Sequence, residues 1–238
     1  MYFKSVYEEV ASLYLRLNGF FQATNYVFEG SEPIRGKEVD IIALRPMNSM
    51  EQWGNGQAYN PDKELFEKIC ELCNICSNVK DQYNIAIIAD VKGTQTRPWR
   101  YRNGNEKQRH VQRVENALGL LGITPISNYI KDLLECGYAF YNKNRLVVVL
   151  AGFHAGSENN AIDISRNNGT IAHLSIPLSH AAKFILGRIK RFTDKKGANI
   201  VQYPSPIFQA LVFLVRNKII SFQEDSPSNS QQGSEHHN

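Results

Sequence analysis

The segment Asn84-Ile85-Ala86-Ile87-Ile88-Ala89-Asp90-Val91-Lys92 constrains this chain more than any other. Its five-residue apolar body reads as a strand buried on both faces, hence a central strand of a sheet with layers packed on either side. Its far end is charged. Alternate strand residues share a face, so Asp90 and Lys92 project together while Val91 turns the other way into apolar packing. A charged pair at the end of such a strand costs desolvation unless something uses it.

The rest of the chain supplies the layers. Residues 4–18 read as a helix with Val6, Val10, Leu13 and Leu17 at helical spacing and Gly19 as its stop. Strands follow at 20–28 and 37–44, the second limited by Pro46. After a polar stretch, Asn60-Pro61-Asp62 starts a helix predicted to run to Val79, with Leu65, Ile69, Leu72, Cys73 and Cys76 on one face. Asn105 and Gln108 read as a capping box opening a helix that continues through Val111, Val114, Leu118 and Leu121. A short helix at 127–135, strands at 138–141 and 146–151, a hairpin turning at Asn167-Asn168-Gly169, and helices at 177–192 and 205–215 complete the pattern. Residues 223–238 are polar and are expected to be disordered. With no repeat and no linker, the expectation is one domain over 1–222, with core motifs in 1–121, an insertion at about 46–82 and a C-terminal elaboration at 122–222.

Asp40 poses the same question as Asp90. It is a lone carboxylate inside Val39-Asp40-Ile41-Ile42-Ala43. If the two strands are neighbours, Asp40 and Asp90 converge, and a divalent cation relieves the repulsion between them. Oxygen-only ligands favour a hard ion, Mg²⁺ or Mn²⁺. Asp62, which would satisfy a literal Pro-Asp pattern, is explained by its place at a helix start, where the dipole favours an acid.

Three segments together, Glu8 with Gly19-Phe20 eleven residues later, Gly36 to Ala43, and Asp90-Val91-Lys92, resemble the PD-(D/E)xK nuclease superfamily. The pattern is similar to that of Holliday-junction-resolvase-like endonucleases. The resemblance covers about residues 1–121. It implies a restriction-endonuclease-like α/β (α+β) fold, a mixed central sheet flanked by helices with core order α-β-β-β-α-β. It implies that Asp40 and Asp90 hold the metal with the backbone carbonyl of Val91. Lys92 would orient or deprotonate the attacking water and meet the scissile phosphate. Glu8, or Glu9 if the register shifts by one, would approach from the first helix as a further acid. Two features depart from the commoner pattern: the middle acid is Asp rather than Glu, and the gap between Asp40 and Asp90 holds the inserted helix.

Overall charge says little until it is located. Lys plus Arg number 27 and Asp plus Glu 23, a net +4. Residues 97–113 carry Arg97, Arg100, Arg102, Lys107, Arg109 and Arg113 against Glu106, a net +5, interleaved with Trp99 and Tyr101. Such a segment suits phosphate gripping, with Trp99 and Tyr101 either stacking on bases or packing beneath the loop, and equally a solvated loop and helix face. Residues 183–196, with six Lys or Arg against Asp194, also carry +5 and read first as a solvated helix face. Cys70, Cys73 and Cys76 offer an iron–sulfur alternative, weakened by their place on a helix, where cysteine is a small buried hydrophobe.

No apolar run reaches the length of a membrane span, and the first residues lack the pattern of a signal peptide, so a cytoplasmic, reduced chain is expected. The functional expectation is a Mg²⁺-dependent DNA endonuclease, with RNA left open and a homodimer compatible. The alternatives are a non-cleaving nucleic-acid-binding module of the same fold and an iron–sulfur nuclease.

Overall fold

A computed structural model describes residues 5–26, 39–49, 51–52, 58–75, 78–94, 98–124, 127–141, 145–156, 160–166, 169–193, 209–211 and 213–214. In chain order the elements are α1 (Val6–Leu17), β1 (Phe21–Tyr26), β2 (Val39–Arg45), β3 (Glu51–Gln52), β4 (Ala58–Tyr59), α2 (Lys63–Cys73) and α3 (Val79–Gln82). There follow β5 (Asn84–Lys92), α4 (Gly104–Leu120), α5 (Ser127–Cys136), β6 (Tyr138–Tyr141), β7 (Leu146–His154), β8 (Asp163–Ser165), β9 (His173–Pro177) and α6 (Leu178–Thr193). The fold is mixed α/β: a seven-stranded mixed sheet with helices on both faces.

The order β1-β2-β5-β7-β9-β8 runs across the sheet, with β6 also on β7. β1, β2 and β5 form an antiparallel meander, whereas β5 and β7 are parallel over nine residue pairs, Asn84↔Leu146 to Lys92↔His154. The other edge of β7 is shared: β6 takes Leu146–Val149 and β9 takes Ala151–His154. All nine residues of β7 are buried, so the chain beyond residue 121 supplies a central strand rather than an appendage.

Side-chain alternation splits the core in two. Ile41, Ala43, Ile85, Ile87, Ala89, Val149 and Ala151 meet α1, α2 and α6 on one face. Ile42, Ala86, Ile88, Val148 and Leu150 meet α4 and α5 on the other. Each fully buried Ile or Val contributes about 1.5–3 kcal/mol relative to exposure, so β5 and β7 anchor both layers. α2 also belongs to the core: Leu65, Phe66, Ile69 and Leu72 are buried in the first layer.

Two local expectations are corrected. The helix predicted from Asp62 to Val79 ends at Cys73, because Asn74 takes a left-handed conformation (φ 53°) and its N–H closes on Cys70 and Glu71. Asn tolerates that region better than other side chains. The capping box lies two residues earlier than predicted. Asn103 is the N-cap, accepting from the Glu106 N–H at 2.9 Å, while the Glu106 carboxylate accepts from the Arg102 N–H at 2.6 Å. Several expectations lie outside the described residues: Gly36 to Glu38, Cys76, Arg97, the turn residues Asn167 and Asn168, Asp194 to Lys196, and the 223–238 tail. Among the described residues no helix is long and apolar enough to cross a membrane.

Candidate functional site

The β2–β5 ladder decides where the acids meet. Ile41 pairs with Ala89. In an antiparallel ladder the next step sets Asp40 opposite Asp90, on the same face and with Cβ atoms about 5 Å apart. Both carboxylates are in phase with Ile42, Ala86 and Ile88, so they face the α4–α5 layer. Asp40 reaches along the partner strand and its Oδ2 accepts from the Val91 N–H at 2.6 Å. Val91 itself packs into the opposite layer, as its alternation requires.

Asp90 is 1% exposed. Its Oδ1 accepts from Arg113 Nη2 at 2.7 Å and Lys92 Nζ at 3.2 Å. Its Oδ2 is buried and receives no N–H donor among the described residues, while the Asp90 carboxylate shares a side-chain hydrogen bond with the facing Asp40 carboxyl. Burial works to raise the Asp90 pKa, but Arg113 and then Lys92 outweigh it and hold the carboxyl well below the usual carboxylate range. Asp40 goes the other way. Burial first, and the Asp90 charge second, raise it from 3.8 to about 7 against the opposing Val91 N–H and Arg113. One acid is therefore firmly ionised and its neighbour holds a proton near neutral pH, as expected where two carboxylates share a site. The donor set is of the all-oxygen kind a hard divalent cation takes: two facing carboxyls that share one hydrogen bond, whose proton a cation would replace.

Glu8 makes its hydrogen bonds within its own helix start rather than with this pair. Its helix, α1, packs on the opposite face of the sheet, among Ile41, Ala43 and Ala89. Ser5 caps that helix, accepting from the Glu8 N–H at 3.2 Å and donating to the Glu8 carboxylate at 3.0 Å. Helix layering thus separates Glu8 from Asp40, although the start of α1 reaches the end of β5, where the Tyr7 ring lies against Gly93. Among the described residues no three His, Cys, Asp or Glu side chains form a metal-holding group.

The basic segment divides into surface and core. Arg100, Arg102, Lys107 and Arg109 are exposed, and Lys107 Nζ lies 5.7 Å from the centre of the half-buried Tyr101 ring. Trp99 and Arg113 are corrections to the expected nucleic-acid surface. Trp99 is 1% exposed, with its indole N–H donating to the Ala151 carbonyl at 2.7 Å, so it has no free face for a base. Arg113 is spent on Asp90. The Trp99 carbonyl accepts from the Ile171 N–H at 3.1 Å and the Tyr101 N–H donates to the Gly169 carbonyl at 2.9 Å, so residues 98–101 are pinned rather than free.

His110, one turn before Arg113 on α4, is a site residue that spacing alone did not single out. Its Nε2 meets the Arg100 carbonyl at 3.1 Å and so carries the proton. Nδ1 is then an acceptor, facing Arg113 Nη1 at 3.5 Å. Burial lowers its pKa, which agrees with a neutral ring. The i, i+3 placement of His110 and Arg113 beside buried Val114 was the available signal.

Asp62 is more than a helix-start acid. It caps α2, accepting from the Glu64 N–H at 3.1 Å. It is also buried and accepts from Tyr14 OH at 2.6 Å and His180 Nε2 at 2.7 Å. His180 Nδ1 meets the Asn160 carbonyl at 2.9 Å. Both ring nitrogens face acceptors, so the ring is an imidazolium; its pKa is raised because the Asp62 bond and charge overcome the burial that would lower it. A cavity of about 340 Å³ lies beside this cluster, and one of about 520 Å³ adjoins Pro61, Phe66 and Cys70. Both are on the α2 side, away from Asp40 and Asp90. On α2, burial and then Cys70 push the Cys73 thiol up to about 12. That disfavours the thiolate a cluster ligand requires.

No protein-family model, curated protein or solved structure matches the chain.

Proposed function

We propose that this chain is a Mg²⁺- or Mn²⁺-dependent DNA endonuclease of the PD-(D/E)xK superfamily, acting through Asp40, Asp90 and Lys92. The observation that carries the reading is the Asp40–Asp90 pair itself. Two carboxylates from neighbouring strands face each other and share a hydrogen bond, one of them almost wholly buried and the other raised to about 7. The meander β1-β2-β5, with β3, β4, α2 and α3 inserted before β5, and the parallel strand β7, reached after α4, α5 and β6, support the reading.

Asp40 and Asp90 would hold the cation, which when bound supplies Lewis-acid assistance and charge neutralisation on the phosphate. Lys92 is the solvent-side group of the site, with its side chain 43% exposed. From there it can meet a scissile phosphate and orient the attacking water. Arg100, Arg102, Lys107 and Arg109 lie on the segment that His110 and Arg113 tie to Asp90. They would contact the DNA backbone, giving affinity that falls with salt. RNA presents the same phosphates, and two chains cutting as a dimer are compatible with the site.

A second reading, a non-cleaving nucleic-acid-binding module of the same fold, is favoured by one observation: among the described residues no third His, Cys, Asp or Glu completes a metal-holding group with Asp40 and Asp90. Cleavage of duplex, branched and single-stranded DNA with Mg²⁺ or Mn²⁺ separates the two. The native chain should cut at least one of these substrates, and Asp90→Ala and Lys92→Ala should lose at least 100-fold in rate, the order expected for loss of a charge-stabilising group. Absence of metal-dependent cleavage, or equal rates in the variants, would leave the binding module as the better reading.

A further inference from the structure

Asp90 has two oxygens, and the protein treats them differently. Arg113 and Lys92 both donate to Oδ1, which fills its lone pairs, while Oδ2 is buried, receives no N–H donor among the described residues, and belongs to a carboxylate hydrogen-bonded to Asp40. The two cations also differ. The Arg113 side chain is 9% exposed and Lys92 is 43% exposed. Arg113 is held on further sides by the Trp99 ring, 5.3 Å from its guanidinium carbon, and by His110 Nδ1. Trp99 is in turn fixed by the Ala151 carbonyl and the Ile171 N–H. Arg113 is thus a permanent partner of Asp90, whereas Lys92 is free to turn toward solvent at little cost, because the carboxylate it leaves stays neutralised.

We infer that Arg113 is a positioning residue that closes Oδ1 of Asp90, so that the Asp40–Asp90 pair takes a single divalent cation and Lys92 is released to the phosphate and the water. The inference rests on the metal-dependent reading above. On the other acid, Oδ2 of Asp40 is already engaged by the Val91 N–H. The remaining oxygens of Asp90 and Asp40 face each other from neighbouring strands and share a hydrogen bond, the place a cation would take. That is a ligand set for one ion; a second ion would need Asp90 Oδ1, which already has two charged donors.

The test is Mn²⁺ binding to the full chain, counted by electron paramagnetic resonance and equilibrium dialysis, beside DNA cleavage. The native protein should bind one Mn²⁺ per chain, with binding lost in Asp40→Ala and Asp90→Ala. Arg113→Met keeps the bulk beside Trp99 but removes a positive charge next to a metal ligand. It should bind Mn²⁺ at least tenfold more tightly, since a like charge at that range opposes the ion strongly, yet cut DNA at least tenfold more slowly, because Lys92 is then held by Asp90. Opposite movements of affinity and rate are something a merely structural arginine would not produce. Two Mn²⁺ per native chain, or an Arg113→Met affinity within twofold of native, would overturn the inference while leaving the nuclease reading standing. No Mn²⁺ bound to the native chain, or binding indifferent to both aspartates, would remove the metal-dependent reading and this inference with it. If Arg113→Met does not fold, the native stoichiometry and Arg113→Lys decide: the lysine variant should retain one Mn²⁺, and two would overturn the inference.

Discussion

Asp40→Asn probes the carboxylate pair without any assumption about substrate. In the metal-free protein the Asp40 carboxyl is raised from 3.8 to about 7, by burial first and by the Asp90 charge second. Between those two values the folded protein keeps a proton that the unfolded chain has released. Stability therefore falls as pH rises through the window and levels off above about 7. One unit of separation corresponds to ~1.4 kcal/mol, so the whole window sets a ceiling of about 4 kcal/mol, and about 2–4 kcal/mol is expected with partial solvation. Asp90, held low by Arg113 and Lys92, titrates beneath the window. His180, raised by Asp62, loses its contribution over the upper part of the same range, but it is common to both proteins and cancels. Asn at 40 keeps an oxygen for the Val91 N–H and removes the charge. In urea unfolding between about pH 5 and pH 8, which spans about two units of that window, the native chain should lose about 2–3 kcal/mol relative to Asp40→Asn. Millimolar Mg²⁺ at the higher pH should restore part of that loss in the native chain and none in the variant. Parallel pH curves for the two proteins would refute the reasoning, because they would mean that Asp40 ionises in the folded state as easily as in the unfolded chain.

Gly152→Ala should destabilise the protein by about 1–3 kcal/mol, the usual cost of overpacking. Its new methyl would lie 2.6 Å from Pro98 Cβ and 2.9 Å from His173 Cδ2, and the pinned 98–101 segment cannot retreat. The Trp99 emission, read in a Trp53→Phe background, should shift with it, and an unchanged spectrum with a loss below about 0.5 kcal/mol would contradict this packing. His180→Gln breaks a charge-assisted bond to Asp62 and should cost about 1.5–3 kcal/mol at acidic pH. Because the His180 pKa is raised, that stability is fully present below the unfolded value of 6.5 and is lost as pH rises through the folded one. Equal losses at acidic and alkaline pH, measured by urea unfolding, would rule out the imidazolium.

Much of the carboxylate pair is legible in the sequence. Asp90 and Lys92 share a face because strand alternation is local, and Asp40 stood out because a lone carboxylate in an apolar strand has few bland explanations. What alternation cannot say is which layer a helix joins. Glu8 has fitting spacing, but α1 packs on the face opposite the acids, and that choice belongs to the core. Composition likewise could not sort the basic segment, since Arg100 and Arg113 read alike in sequence. One is exposed, while the other is buried on Asp90, 23 residues away.

The chain by itself determined most of its strands and helices and singled out Asp40 and Asp90, because those follow from short-range periodicity and from the cost of charge in an apolar strand; the short β3–β4 pair inside the polar stretch left no such pattern. Only the tertiary structure decided the partners. Asp90 meets Arg113 because α4 lies across its face, and Asp62 meets His180 across 118 residues because α2 and α6 share the other layer. Pairing at that separation depends on how two layers pack around one sheet, which no local pattern encodes.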